Sequence, residues 1–384
     1  METVINGITD LNVFFKNRFF IQTEVFKDPE YGNFMDLDST KCKIDLLDRN
    51  CEKNRRAAAK YLHEYELVKI ICKKNVISRA YFKLYEIAYD NPLVLKERLS
   101  CFFICEAPGG FIECITDIRR KKNLQTEYIS VSRLDKNIKY DNYLEQNNLI
   151  YADITCIETL EQTIYQTLCK FEDGVDFITA DGGFDIKNYN VQEIVTSKLL
   201  LCEIYTALKT QSENGTFIIK FFDMFTHNSV VYYLILSGFY ESVTIIKPKT
   251  SRNCNSERYL VCRSMKRWTA SHQVMIYHLK TILLNYKSDD FVVFPDFVVP
   301  KEIKSKIKTF NNLIVYEQIK TINESIKMVQ NKNFYFQNLL LKIFSENKMD
   351  RLKTVLLYKN ILHSRIQKCL HFLRNFNINS PHFL

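Results

Sequence analysis

The chain of 384 residues is 46% hydrophobic and 25% charged, so it can bury a large core and is long enough for two or three domains. No apolar run approaches the roughly eighteen residues of a transmembrane helix, and residues 1–10 lack the pattern of a signal peptide, so we expect neither secretion nor membrane insertion. The net charge is +9, and nearly all of it falls from Lys287 onward, where sixteen Lys and Arg stand against eight Asp and Glu. Such a basic surface suits RNA, although a solvated, lysine-rich helix face explains it equally well.

The twelve cysteines are scattered, and several lie inside apolar runs such as Cys101–Cys105. Reduced core thiols explain this distribution better than disulfides do, which predicts a reducing compartment. We expect the cytoplasm or nucleus or, for a viral protein, the site of viral transcription or the virion. The sequence contains no Cys-x-x-Cys pair and no histidines at ligand spacing from cysteines, so no metal site is predicted.

Residues 1–75 are interpreted as a helical N-terminal region, and the helical pattern continues to about Leu99. Arg55–Leu67 and Ser78–Ile87 carry apolar residues at helical spacing. Asn91-Pro92 then interrupts the pattern before the first predicted strand.

Residues 76–267 are interpreted as one domain, in which short β-rich runs alternate with amphipathic segments from Cys101 to Arg263; this predicts a mostly parallel sheet wrapped by helices. A helix is predicted over Gln192–Leu208. The last two strands are joined by a loop too short for a crossover helix, so we expect them to be antiparallel. The fold class is therefore α/β, a Rossmann-like sheet of about seven strands with a C-terminal antiparallel hairpin. The predicted strands are Cys101–Cys105, Glu127–Ser132, Leu149–Ala152, Val175–Ala180, Thr216–Phe221, Ser242–Lys247 and Arg258–Cys262.

Residues 268–384 are interpreted as a mostly helical, basic C-terminal region and a separate appendage. The helical period returns after Trp268, and the apolar stretch Phe291–Pro300 interrupts it.

Four of the nine glycines lie in two short motifs, Glu106-Ala107-Pro108-Gly109-Gly110-Phe111 and Asp181-Gly182-Gly183-Phe184-Asp185, each directly after an apolar run. Paired glycines at strand ends let a backbone approach a nucleotide-sized ligand, and a helix opening at Phe111 would offer free N–H donors. On its own, a Pro-Gly-Gly turn more often indicates an ordinary tight turn.

Carboxylates also follow the predicted strands. Asp153 closes the third strand and Asp181 the fourth, so both should emerge at the same edge of the sheet as Gly109. Asp153 could accept a hydrogen bond from an adenine amino group or could instead cap a helix.

Lys220 ends the fifth strand inside an apolar run, and Glu257 begins the last strand. Burying an ammonium without a partner costs several kcal/mol, so Lys220 should contact Asp181 and Glu257. The pair could serve only to stabilise the fold, or it could tune a lysine that acts as a general base.

Five separated segments together resemble the FtsJ-type RNA 2′-O-methyltransferases, most closely the viral and eukaryotic mRNA cap branch. The resemblance covers roughly Val76–Arg263, and its motifs occur in family order. The segments are Ser78–Glu86, Glu106–Phe111, Asp181-Gly182-Gly183, Lys220 and Thr250–Tyr259.

The resemblance implies a catalytic tetrad of Lys83, Asp181, Lys220 and Glu257, with Lys220 taking the proton of a ribose 2′-hydroxyl as a neutral amine. It implies S-adenosylmethionine as the cofactor, and no metal. It implies capped mRNA as the substrate, with other capping enzymes or a polymerase as further partners and no membrane. The implied cofactor-binding residues are Glu106, Ala107, Pro108, Gly109, Gly110, Phe111, Asp153 and Asp181. The implied substrate-binding residues are Arg79, Ser251, Arg252, Asn255 and Ser256.

The acidic residue that the family often places after the second strand has no secure match in Ser130–Asp135. Two alternatives to a cap-specific enzyme stay open: methylation of ribosomal or transfer RNA, and a non-catalytic RNA-binding subunit on the same fold.

Overall fold

The computed structural model describes residues 2–6, 20–22, 27–47, 49–72, 74–89, 91–133, 139–142, 144–183, 188–286, 291–294, 297–330, 355, 359–376 and 378. Phe184 and Asp185 of the second glycine motif lie outside these residues, as does Asp135.

A mixed eight-stranded sheet forms the centre of the described structure, in the spatial order β1-β8-β9-β7-β6-β3-β4-β5. Its strands are β1 (Glu2–Asn6), β3 (Ser100–Ile104), β4 (Glu127–Ser132), β5 (Leu149–Tyr151), β6 (Val175–Ala180), β7 (Gln211–Phe222), β8 (Tyr240–Ile246) and β9 (Glu257–Met265). The five strands from β5 to β7 run parallel, whereas β9 is antiparallel to both β7 and β8. Two further strands, β2 (Phe20–Gln22) and β10 (Phe291–Val293), pair with each other.

All seven predicted strands are present, and the predicted antiparallel pairing of the last two is confirmed, with Val243 opposite Cys262. The helical interpretation of everything before Leu99 missed β1, which pairs with β8 at the edge of the sheet and places Ile5 opposite Val243. The β1 strand is short and its partner β8 is distant in sequence, so no local periodicity predicts β1.

Twelve helices are described: α1 (Phe34–Asp45), α2 (Arg49–Leu62), α3 (Val68–Ile71), α4 (Ala80–Ala88), α5 (Gly110–Arg120), α6 (Ile157–Lys170), α7 (Gln192–Val195), α8 (Ser197–Thr210), α9 (His227–Phe239), α10 (Ala270–Asn285), α11 (Lys301–Gln330) and α12 (Lys359–Asn375). The single helix predicted over Gln192–Leu208 is divided into α7 and α8 at Thr196. The Thr196 hydroxyl donates to the Gln192 carbonyl over 2.8 Å, a local bond of the kind that bends helices.

Helices cover both faces of the sheet. Alternate residues of β3 point to opposite faces, so Phe102 and Ile104 pack in one apolar cluster with α8 and α9, while Cys101 and Phe103 pack in the other with α4 and α5. The sheet is therefore buried on both sides and leaves its strand ends as the accessible edge. Six of the twelve cysteines are buried.

The long helix α11 packs against α1 and α2. Asn311 in its buried face donates to the Tyr31 carbonyl over 2.6 Å and to the Met224 carbonyl over 3.0 Å, which joins the N-terminal region, the sheet and α11. Lys306, Lys308 and Lys320 lie on the exposed face of α11. The domain boundaries at residues 75 and 267 stay a prediction.

Within the described part of the chain, no helix is both long and apolar enough to cross a membrane. The same residues contain no group of three or more His, Cys, Asp or Glu arranged to hold a metal ion.

Candidate active site

Two ion pairs meet at the strand ends near the middle of the sheet. The Nζ atom of Lys220, on β7, lies 3.2 Å from Oδ1 of Asp181, which follows β6. Lys83 on α4 donates through Nζ to Oε2 of Glu257, the first residue of β9, over 2.7 Å. Because β9 is antiparallel to β7, the start of β9 coincides with the end of β7. The structure thus brings together the four charged residues that the sequence analysis selected, and each of these side chains is at most 15% exposed.

Main-chain and tyrosine contacts hold the Lys220–Asp181 pair in place. Lys220 Nζ also donates to the carbonyl oxygen of Asp181 over 2.6 Å. The hydroxyl of Tyr259 donates to Asp181 Oδ1 over 3.0 Å, and Tyr259 lies opposite Lys220 in the β7–β9 register. The Lys220 ammonium is therefore bound to the main chain of Asp181, and Tyr259 holds the carboxylate beside it.

The electrostatics of the pairs favour charged forms. Burial disfavours the ammonium of Lys220, but Asp181 and Glu257 outweigh burial and raise the pKa of Lys220 above its usual range. Burial would likewise raise the pKa of Glu257, yet the neighbouring lysines, Lys83 foremost, lower it to about 2. Lys220 therefore holds its proton at neutral pH in this environment, whereas the resemblance implied a neutral amine. A positive charge added nearby would shift the balance toward the neutral amine.

Residues on one side of α4 form hydrogen bonds with the loop that leads into β9. Glu86 accepts from the backbone N–H of Lys249 over 2.7 Å, and Arg79 donates to the Thr250 carbonyl over 2.8 Å. Lys83 lies between Arg79 and Glu86 on this side, so the contact with Glu257 is part of one interface. The segments Ser78–Glu86 and Thr250–Tyr259, which are far apart in sequence, are therefore in direct contact in the fold.

The buried Lys247 also contacts this loop. Lys247 Nζ donates to the Glu257 carbonyl and to Asn255 Oδ1, both over 2.7 Å. Burial lowers the pKa of Lys247 to about 7. Ser251 Oγ donates to Glu257 Oε1 over 2.8 Å, so both carboxylate oxygens of Glu257 are engaged.

The two arginines predicted to bind substrate share one carboxylate. Arg252 Nη2 lies 2.8 Å from Glu66 Oε1, and Arg79 Nη1 lies 3.1 Å from Glu66 Oε2. Arg79 is thereby committed to the interior contact between α4 and the loop. Arg252, with a third of its side chain exposed, lines a cavity together with Asn255 and Ser256.

A cavity of about 390 Å³ opens at the carboxyl ends of the parallel strands. Each of β3 to β7 contributes to it from its end, as expected for ligand sites of open α/β sheets. The lining residues are Cys105, Ala107, Ser132, Arg133, Ala152, Asp153, Ile154, Thr155, Asp181, Gly183, Leu199, Lys220 and Phe222. Three of the predicted cofactor-binding residues, Ala107, Asp153 and Asp181, are among them.

The glycines of the first motif lie where a side chain would meet its neighbours. A Cβ on Gly109, which has φ +112°, would lie 2.4 Å from Leu144 Cδ1, and one on Gly110 would lie 2.1 Å from Ser78 Oγ. Phe111 is fully buried, and its N–H donates to Glu106 Oε1 over 2.5 Å. Glu106, Pro108, Gly109, Gly110 and Phe111 thus form the turn behind the cavity, and their role toward a cofactor stays a prediction.

Asp153 both forms a turn and faces the cavity. Its Oδ1 accepts from the N–H and the hydroxyl of Thr155, over 2.9 and 2.7 Å, while Oδ2 lies 3.4 Å from Arg133 Nη1. Despite partial burial, these contacts lower the pKa of Asp153. Asp153 therefore stabilises the turn before α6 and does not cap that helix, whose N-cap is Cys156. Its contact with an adenine stays a prediction.

A second cavity, of about 430 Å³, lies between α1, α2, α11 and the start of β9. Its charged lining residues within the described chain are all cations: Lys41, Arg55, Arg56, Lys60 and Arg252. Phe222 lines both cavities, and its ring centroid lies 5.3 Å from Lys220 Nζ. Lys220 therefore lies where the two cavities adjoin.

Sequence analysis missed Tyr259 and Phe222, although a signal for both was present. Residues two apart in a strand share a face, so Phe222 follows Lys220 and Tyr259 follows Glu257 on the same side. Glu66, which pairs with both arginines, and Glu203, which contacts Gly182, carried no such signal because their partners are distant in sequence.

The chain is similar in sequence to known proteins. Residues 76–265 match the family described as FtsJ-like methyltransferase. The chain is 28% identical over 315 residues to cap-specific mRNA (nucleoside-2′-O-)-methyltransferase 2 of Mus musculus, a match covering 75% of this chain and 40% of the relative. It is 27% identical over 331 residues to cap-specific mRNA (nucleoside-2′-O-)-methyltransferase 1 of Xenopus laevis, covering 78% of this chain and 38% of the relative.

The matches thus span about two fifths of the length of these curated relatives. Among solved structures, human methyltransferase-like protein 13 in complex with SAH matches 55% of this chain and 94% of that chain, at 11% identity and a TM-score of 0.30.

Proposed function

Because residues 76–265 form an FtsJ-like methyltransferase domain, we propose that this protein methylates the ribose 2′-hydroxyl of the first transcribed nucleotide of capped mRNA, converting cap 0 to cap 1. The curated relatives with which it shares 27–28% identity are cap-specific mRNA 2′-O-methyltransferases. Because the chain spans only part of their length, activity and substrate are inferred here from the site.

One observation carries the proposal: the Lys83–Glu257 and Lys220–Asp181 pairs converge at one edge of the sheet, beside a cavity at the strand ends. A ribose hydroxyl is a poor acid, so its methylation needs a group that takes the proton and a frame that holds the oxygen in line. The lysines and carboxylates gathered in this small site can serve both purposes, taking the proton and holding the oxygen.

The strand-end cavity fits S-adenosylmethionine by its size and its donor set. Its volume of about 390 Å³ lies in the range of small-ligand sites. Asp153 offers a carboxylate acceptor for an adenine amino group, and Ile154 and Leu199 offer apolar contact for the ring. When bound, this cofactor supplies an electrophilic methyl group on a positively charged sulfonium.

In this proposal Lys220 takes the proton of the 2′-hydroxyl. Asp181 and Glu257 orient the amine, and Lys83 keeps Glu257 ionised and in place. The raised pKa of Lys220 means that the amine must lose its proton before it can act as a base. A cationic cofactor in the cavity that Lys220 lines would lower this pKa, since like charges disfavour the ammonium.

The basic cavity supplies a place for the capped 5′ end. Its five cationic lining residues suit a chain of phosphates, and the aromatic side chains of Tyr189 and Phe222 offer faces for stacking an unpaired base. The cavity adjoins Lys220 through Phe222, so an RNA end held there would present its first ribose to the catalytic pairs.

Further partners follow from the chemistry alone. A capped RNA must come from an enzyme that adds the guanosine, so we expect this protein to act beside capping enzymes or a polymerase. The six buried cysteines suit reduced core thiols, which supports action in a reducing compartment such as the cytoplasm or nucleus.

The test is transfer of a labelled methyl group from S-adenosylmethionine to matched RNAs that differ only in the 5′ cap. We expect transfer to the capped RNA and a product resistant to cleavage at the first ribose. Equal transfer to both RNAs would favour a ribosomal or transfer RNA enzyme. No transfer to either, with retained RNA binding, would favour a non-catalytic subunit.

A further inference from the structure

Glu203 on α8 is a second buried carboxyl beside Asp181, and the mechanism above assigns it no role. The residue is 1% exposed. Its Oε1 accepts from the backbone N–H of Gly182 over 3.1 Å. Its Oε2 is buried and has no hydrogen-bond partner among the described residues.

The contact with Gly182 is sterically tight. A Cβ on Gly182 would lie 2.2 Å from Glu203 Oε1 and 2.8 Å from Leu199 Cδ2. A side chain at position 182 would have to displace the Glu203 carboxyl, so the glycine is what lets this carboxyl reach the turn.

The bond from Glu203 acts on the peptide unit that contacts the lysine. The N–H of Gly182 and the carbonyl of Asp181 belong to one planar peptide group, in which they point in opposite directions. Glu203 accepts from that N–H, and Lys220 Nζ donates to that carbonyl over 2.6 Å. Fixing the direction of the N–H thus fixes the direction of the carbonyl that receives Lys220.

We propose that Glu203 is a positioning residue that aims the Asp181–Gly182 peptide at Lys220 and so sets where the Lys220 amine lies. The inference rests on the proposed function for its catalytic consequence, but its structural part can be tested without turnover.

The charge state of Glu203 supports this role. Burial raises its pKa to about 8; nearby Lys220 works against the rise and Asp181 adds to it, and the Cys105 thiol is a further neighbour. At neutral pH the carboxyl is therefore mostly protonated and holds the peptide without adding a further negative charge beside Lys220. A glutamine has the same shape and an acceptor oxygen, so it should replace Glu203.

The experiment compares Glu203→Gln, Glu203→Ala and a matched control, Thr206→Val. Thr206 lies on the same helix, is fully buried, and has a hydroxyl with no partner among the described residues. The control therefore perturbs a buried polar group of α8 without touching the Asp181–Gly182 peptide. The readouts are hydrogen exchange at the Gly182 amide and, separately, kcat and KM with capped RNA.

In Glu203→Ala we expect the Gly182 amide to exchange about tenfold faster, the equivalent of one lost hydrogen bond. We expect kcat to fall by about 10- to 100-fold while KM for the cofactor stays within about threefold, since misplacement of the amine affects the chemical step. Glu203→Gln and Thr206→Val should stay close to the wild type in both readouts.

Two results would overturn the proposal. Glu203→Gln as slow as Glu203→Ala would mean that a carboxyl is required and that holding the peptide is not enough. Equal exchange at Gly182 in Glu203→Ala and Thr206→Val would mean that α8 packing alone holds the turn. Should the wild type transfer no methyl group to any RNA, the proposed function fails, and the exchange data alone then decide whether Glu203 holds the peptide.

Discussion

Lys83 and Glu257 are 174 positions apart in the sequence, and their side chains meet at an Nζ–Oε2 distance of 2.7 Å. The pair connects α4, which precedes the parallel part of the sheet, with β9, which follows it. Since Glu257 in turn helps to keep Lys220 charged, we expect a change at Lys83 to affect Lys220 without direct contact.

Lys220→Met should lower methyl transfer by about 10³-fold, because the variant removes the amine proposed to take the 2′-hydroxyl proton. Cofactor affinity should not weaken, since the variant removes a positive charge from a cavity proposed to hold a sulfonium. Calorimetry and single-turnover transfer measure the two effects separately. Lys249→Met, at an exposed lysine of the loop, serves as the control and should remain active. A near-normal rate in Lys220→Met would refute its assignment as the base.

Lys83→Met and Glu257→Gln should each slow methyl transfer, and the double variant should be less impaired than the sum of the two. Both single changes break the same pair, so we expect a coupling free energy of about 1–3 kcal/mol. The measurement is a double-mutant cycle on kcat/KM. Strict additivity would mean that the two residues act independently.

Gly110→Ala should destabilise the fold rather than weaken cofactor binding alone. The added Cβ would lie 2.1 Å from Ser78 Oγ, where α5 packs against the start of α4. Thermal denaturation should show a loss of about 1–3 kcal/mol, typical of overpacking, and Ser78→Gly should restore part of it. A weakened cofactor affinity at unchanged melting temperature would instead favour a direct role for Gly110 in the ligand site.

Arg56→Glu should weaken binding of capped RNA and reduce its dependence on salt. The Arg56 side chain is 62% exposed and lines the basic cavity. Loss of one phosphate contact reduces the slope of log K against log salt by about 0.7 for a single strand. Lys308→Glu, on the exposed face of α11, makes the same charge change away from the cavity. Equal losses in both variants would show that overall charge matters rather than the cavity.

Glu203→Gln should gain stability over the wild type as the pH rises. The pKa of Glu203 is raised to about 8 in the fold, from an ordinary 4.5. The folded state therefore holds a proton that the unfolded state has lost between these pH values, so the wild type loses stability as pH rises through this window. Glutamine does not titrate and escapes this loss. Melting temperatures at pH 5, 6.5 and 8 should diverge progressively; a constant difference would contradict the raised pKa.

Much of the sheet could be predicted from sequence because parallel strands buried on both faces produce apolar runs. Glu127–Ser132 and Val175–Ala180 match their predicted bounds. The β1 strand and the break at Thr196 could not be predicted in this way, since one depends on pairing with a distant strand and the other on a side-chain hydrogen bond inside a helical pattern.

The charged residues of the site could be predicted from the sequence. A lysine in an apolar strand must find a counter-charge, and the aspartate and glutamate at neighbouring strand ends were the available partners. What no local pattern could convey was the mutual orientation of these groups. Three features depend on contacts across long sequence separations. Glu203 accepts a hydrogen bond from the Asp181–Gly182 peptide, Glu66 pairs with two arginines, and both flanking regions line the basic cavity. Such contacts depend on how helices pack against the finished sheet, because distance and direction between side chains exist only once the backbone has closed around them.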